Sequence, residues 1–99
     1  MKLAAGRPFW SDVAAIMHRY ESEREGLGDE FLDAVDAALA LIAERPEAWA
    51  VWPGIRPASP PLRRYVMDRF PYALGYQVRD DVIAVTVIAH AKRRPGFWQ

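Results

Sequence analysis

The side chains of this sequence with the means to do chemistry gather from Arg63 onward: one imidazole, a set of cations and three phenols. His90 closes an apolar run and stands just ahead of Lys92, Arg93 and Arg94. With an unperturbed pKa of about 6.5, a histidine there can take or give a proton near neutral pH. Arg63, Arg64 and Arg69 lie one strand pair earlier. With Lys92, Arg93 and Arg94 they can build one basic surface able to meet phosphates. Plainer readings stand beside these. His90 can be a strand-end residue hydrogen-bonded to a loop, and the arginines can pair with carboxylates of the chain's own helices or of a partner. His18 falls within a helical pattern and reads as a surface residue. Two separated histidines and no cysteine make no metal-ligand pattern, so no metal is expected.

Charge and composition narrow the setting. The formal net charge is zero, yet Met1 to Gly54 carries five Lys/Arg against ten Asp/Glu, and Ile55 to Gln99 carries eight against three. An acidic front half and a basic back half suit a basic face for nucleic acid or for an acidic partner. Free-standing nucleic-acid binders are usually more basic overall. The 99 residues suit one domain, 1–99, with one core. The absence of cysteine excludes a disulfide scaffold and a thiolate metal site, and fits a reducing compartment. The stretch MKLAAGRPFW has no apolar run of signal-peptide length, and the longest apolar run, Val82 to Ala89, is too short to span a membrane. A cytoplasmic location is the expectation.

The elements that must position these residues follow from periodicity. Phe9, Val13, Ile16, Met17 and Tyr20 recur at helical spacing, predicting a helix from about Trp10 to Arg24 with Ser11 and Asp12 near its start. Gly26 and Gly28 break the pattern. A second helix is predicted from Asp29 to Glu44, with Phe31, Leu32, Val35, Leu39 and Ile42 as its apolar stripe, and Pro46 stops it. So short a connection makes the two a helical hairpin. A proline-rich stretch follows, holding Trp49 and Trp52. Its indoles are read as tucked against the helices, with a partner site as the alternative. Three strands are then predicted: Leu62 to Arg69, Tyr72 to Arg79 and Val82 to Ala89. Asp80-Asp81 forms the turn between the last two. Tyr72, Leu74, Tyr76 and Val78 face one way. The nearly continuous apolar run of the last strand suits a central position. A short first strand falls within Lys2 to Gly6. The fold class is α+β: an N-terminal helical hairpin on a three- to four-stranded antiparallel sheet, in the order β-α-α-β-β-β.

Three segments carry a family resemblance. Arg63 to Tyr76, with Arg63-Arg64, then Arg69-Phe70-Pro71-Tyr72, then Tyr76, resembles the signature of RelE/ParE-type toxins. His90 to Trp98, a histidine leading a basic cluster and a proline-glycine-aromatic-tryptophan end, is similar to their closing segment. Gly26-Leu27-Gly28 ahead of Glu30-Phe31-Leu32 matches their interhelical break. The order and spacing agree from about Val13 to Trp98.

The resemblance implies the toxin of a type II toxin–antitoxin pair, neutralised by a cognate antitoxin and needing no cofactor. Two activities occur among such toxins: poisoning of DNA gyrase by ParE-like members, and cleavage of messenger RNA on the ribosome by RelE-like members. Cleavage at a 2′-hydroxyl needs a base, an acid and positive charge on the phosphate. On a RelE-like reading the catalytic set is His90, Arg94 and Arg69. Two groups of the RelE site are missing here: its sheet arginine falls on Ala73, and its terminal tyrosine falls on Trp98. Indole is neither acid nor base. The expectation is therefore ParE-like, with the RelE-like nuclease and an inactive antitoxin-binding relic as alternatives. Arg63, Arg64, Lys92 and Arg93 are the candidate target-binding residues. Phe97 and Trp98, which either pack back on the helices or help form a partner groove, are the candidate antitoxin contacts.

Overall fold

The computed structural model describes residues 1–91. The elements are β1 (Lys2–Ala5), α1 (Arg7–Glu23), α2 (Leu27–Glu44), β2 (Arg63–Val66), β3 (Tyr72–Arg79) and β4 (Val82–His90).

Helix α1 starts earlier than its apolar stripe predicts, because Pro8 occupies the first turn, where a missing N–H costs nothing. Gly6 is the cap residue and offers no side chain, while Ser11 and Asp12 lie inside the helix. The start of α2 is held from its neighbour. Gly26, at φ 89°, makes the turn. The Glu21 carboxylate of α1 then accepts from the Gly26 and Gly28 N–H groups, each at 2.9 Å. These are donors that a helix start leaves without internal partners. Gly28 also lets the helices approach: a Cβ there would lie 2.9 Å from the Met17 carbonyl oxygen.

The sheet order is β1-β4-β3-β2. β3 runs antiparallel to both β2 and β4, but β1 runs parallel to β4, so the sheet is mixed where an antiparallel one was expected. A four-residue strand carries no sequence signal of its partner's direction. The turn at Asp80-Asp81 forms as predicted, with Asp80 at φ 53°. β4 lies between β1 and β3, which accounts for its apolar run. A bulge shifts its register between Gly75–Val87 and Tyr76–Val85. Thr86 is the extra residue, and Ile83, Val85 and Ile88 all remain in the helix-side core.

That core joins Phe9, Val13 and Ile16 of α1 to Phe31, Val35 and Ile42 of α2 and to Tyr72, Leu74 and Tyr76 of β3. Trp49 packs against it, edge-on to Tyr65 with ring centroids 4.9 Å apart. Trp52 does not. It lies on the opposite face of the sheet with Leu62, Ala73 and Ala89. The prediction that both indoles rest against the helices thus holds for Trp49 alone. Small residues make room for Trp52: a Cβ on Gly75 would lie 3.2 Å from its ring.

Candidate functional site

Alternation along β2 sends neighbouring side chains to opposite faces. Arg63 follows Tyr65 to the helix side, where its Nη1 donates to the Trp49 carbonyl at 2.8 Å. Arg64 takes the other face, its guanidinium 5.7 Å from the centroid of the Trp52 ring, within cation–π reach. Arg69 lies beyond the strand and pairs with Glu30 of α2, which also takes Arg24 at 3.2 Å. These two arginines, Arg24 first, hold the Glu30 carboxyl below its ordinary value. The structure therefore does not bring Arg63, Arg64 and Arg69 onto one basic surface. Each serves a different neighbour, and Arg69 is matched by a carboxylate of the chain's own helix.

The phenols are engaged as well. Tyr76 is fully buried, and its hydroxyl donates to the Pro46 carbonyl at 2.7 Å. Burial pushes its pKa up to about 12, against a smaller downward pull from Arg63. A phenol so placed is held neutral and out of reach of a substrate. Ala73 is also fully buried, within the Trp52 cluster. The sheet face opposite the helices is thus filled at this point by indole and methyl groups.

His90 ends β4 opposite Tyr72 of β3, with ring centroids 5.5 Å apart and the rings edge-on. Arg19 of α1 donates from Nη2 to the Tyr72 hydroxyl. Beside this contact lies an open cleft of about 280 Å³, lined by Asp12, Ile16, Arg19, Tyr72, Ile88 and His90 among others. Sequence reasoning found His90 but missed Arg19 and Tyr72. Arg19 falls three residues after Ile16, at the margin of the buried stripe of α1, which was the available signal. His90 turns to Tyr72 while Arg69 turns to Glu30, so these two proposed catalytic residues have different neighbours. Lys92, Arg93, Arg94, Phe97 and Trp98 lie outside the described residues. His18 is exposed on α1, as expected. Among the described residues no cluster of His, Cys, Asp or Glu is arranged to hold a metal, and no helix is long and apolar enough to cross a membrane.

A helical hairpin on one face of a four-stranded mixed sheet, with a proline-rich loop folded over the other face, defines an α+β fold of the RelE/ParE type. The family model described as the ParE toxin of the type II toxin–antitoxin system parDE matches residues 6–95, and the chain belongs to that family. No curated protein matches the chain. Among solved structures it is similar to a chain of the chromosomal ParDE TA system from P. aeruginosa. The TM-score is 0.69 at 20% sequence identity, over 93% of this chain and 97% of that one. The identity is low enough that this likeness is one of fold. The family read from Arg63 to Tyr76 and from the interhelical glycines is borne out.

Proposed function

We propose that this chain is a growth-arresting type II toxin, neutralised in the cytoplasm by a cognate antitoxin, and that its target is DNA gyrase. One observation carries the choice of gyrase over messenger RNA. Where a ribosome-dependent nuclease of the RelE type would present its sheet arginine, this chain has a buried alanine under Trp52, and the strand tyrosine three residues on, Tyr76, is itself buried and bonded to Pro46. Neither can meet a phosphate or move a proton at the surface. Because the fold itself does not fix the activity, a toxin of this fold that lacks these groups can act by binding its target. Lys92 and Arg93 are the cations we assign to the target, together with Arg63 and Arg64, which also brace the loop before β2 at Trp49 and Trp52. Phe97 and Trp98 are the residues we assign to the antitoxin.

Two assays in sequence test the proposal. The chain is induced in growing cells, and messenger-RNA 5′ ends on ribosomes are mapped soon after. Growth arrest without codon-phased ends is expected, followed by accumulation of cleaved gyrase–DNA complexes with the purified protein. New ends in phase with codons, lost in Arg94→Ala, would assign His90, Arg94 and Arg69 to RNA cleavage and overturn the gyrase reading. Induction without any growth defect would favour the antitoxin-binding relic.

A further inference from the structure

β4 has a strand on both sides only along its first half. β1 pairs with it from Val82 to Val85, and the chain then leaves through Gly6 into α1. From Thr86 to His90, β3 lies on one side and no strand of the described residues lies on the other. The direction of the backbone groups there follows from one contact. The Ala91 N–H meets the Pro71 carbonyl at 2.8 Å, with Tyr72 opposite His90. Alternation in an antiparallel ladder then makes Ala73–Ala89 and Gly75–Val87 the hydrogen-bonded pairs. The N–H and C=O of Ile88 consequently point to the open side. A half-strand of this kind is a template for another extended chain.

The cleft between α1 and the end of β4 lies along this same open half. Its ends differ in charge. At one end Arg19 donates to the Tyr72 hydroxyl, which leaves the phenol's own proton and the remaining guanidinium N–H groups to donate elsewhere. At the other end stands Asp12, seven residues earlier on α1, or about 10 Å along the axis at ~1.5 Å per residue. Ile16 and Ile88 line the wall between them.

We propose that this groove receives an extended segment of a partner protein as an added strand along the open half of β4, with an acidic side chain on Arg19 and Tyr72 and a basic one at Asp12. Side chains on one face of a strand repeat at about 7 Å. Two long charged residues at positions i and i+2 therefore reach both ends of the cleft. Reciprocal N–H and C=O groups at Ile88 suit a peptide backbone, and Asp12 repels a run of phosphates, so the occupant is a peptide and not a nucleic acid. The proposal deepens the antitoxin reading by naming how a partner is gripped.

The test uses the full chain labelled with ¹⁵N and a capped eight-residue peptide that alternates valine with polar residues, one glutamate and one lysine two positions apart. Slowed exchange of the Ile88 amide and shifts around Arg19 and Tyr72 are expected. Replacing the peptide's glutamate by glutamine, or using Arg19→Gln, weakens binding about tenfold, the scale of one charge-assisted contact. Tyr72→Phe keeps the ring and weakens binding severalfold. A peptide N-methylated on the edge-facing residues does not bind. Equal binding of the glutamine peptide, shifts confined to the outer edges of β1 or β2, preference for an eight-nucleotide RNA, or no binding at millimolar peptide would each overturn the proposal. Gyrase takes no part in the assay, so its failure leaves the toxicity reading to be judged separately.

Discussion

Replacing Tyr76 by phenylalanine removes one oxygen from a ring that is fully buried in the helix-side core. The lost hydroxyl donates to Pro46 at 2.7 Å, tying β3 to the chain just after α2. A neutral hydrogen bond contributes a net ~1 kcal/mol. Pro46 is only half-buried, so water can reach its carbonyl and the cost stays near that figure. For a domain of this size the melting temperature then falls by about 4–8 °C. A second signature lies on the alkaline side. Burial raises the folded-state pKa of Tyr76 to about 12, above the free value of about 10. The stabilisation linked to the neutral phenol is therefore complete below about pH 10 and lost as pH rises through about 12. The variant has no such group, so the stability difference between parent and variant shrinks over that window. Burial also raises Tyr20 and Tyr65, but both are present in each protein and cancel in the difference. Thermal unfolding near neutral pH and urea unfolding through the alkaline range measure both effects, and induced expression measures toxicity. Growth arrest is expected to survive. Its loss in a variant that melts within a few degrees of the parent would make the phenol a chemical group and refute the reasoning.

Three further changes test the packing and the charges. Ala73→Arg restores the cation that a RelE-type nuclease would carry, but the site is filled by Trp52, Leu62 and Ala89. Destabilisation of about 1–3 kcal/mol or more and red-shifted tryptophan emission are expected; unchanged urea midpoint and emission would contradict the plug. Gly28→Ala sets a methyl 2.9 Å from both the Met17 carbonyl oxygen and Glu21 Oε1. It forces the helices apart at a cost of about 1–3 kcal/mol, read from the urea midpoint. Glu21→Gln tests the acid side. Hydrogen bonds from Gly26 and then Gly28 hold the Glu21 carboxyl below its ordinary value. Its stabilisation is therefore complete above the unfolded-state pKa and lost as pH falls through the lower folded value. The variant's urea midpoint should fall less steeply on acidification, and an identical acid limb in the two proteins would count against the contact.

What the sequence made legible was local. The stripes of α1 and α2, the facing of Tyr72, Leu74, Tyr76 and Val78, and the Asp80-Asp81 turn each follow from spacing within a dozen residues or fewer, and all are present. The separation of Arg63 from Arg64 was legible too, since adjacent strand residues face opposite ways, but grouping cations by their closeness in number hid it. The direction of β1 was not legible, because its partner lies some eighty residues on. The position of Trp52 was not legible either, and for a reason that bears on function. Ala73, Gly75 and Ala89 look like unremarkable small residues until an indole from the loop before β2 is laid on them. Large and small residues complement one another here across segments that periodicity treats separately. The same complementarity lets this face of the sheet be packed instead of charged without loss of stability. An arginine on the outer face of β3 needs water or phosphate around it, whereas an alanine there allows a tryptophan to bury apolar area against the sheet. Trp52, itself buried, also has the Arg64 guanidinium over its ring, 5.7 Å from the centroid. With this face packed around Trp52, the open half of β4 beside Arg19 is a place where backbone and charge are both available to the proposed peptide.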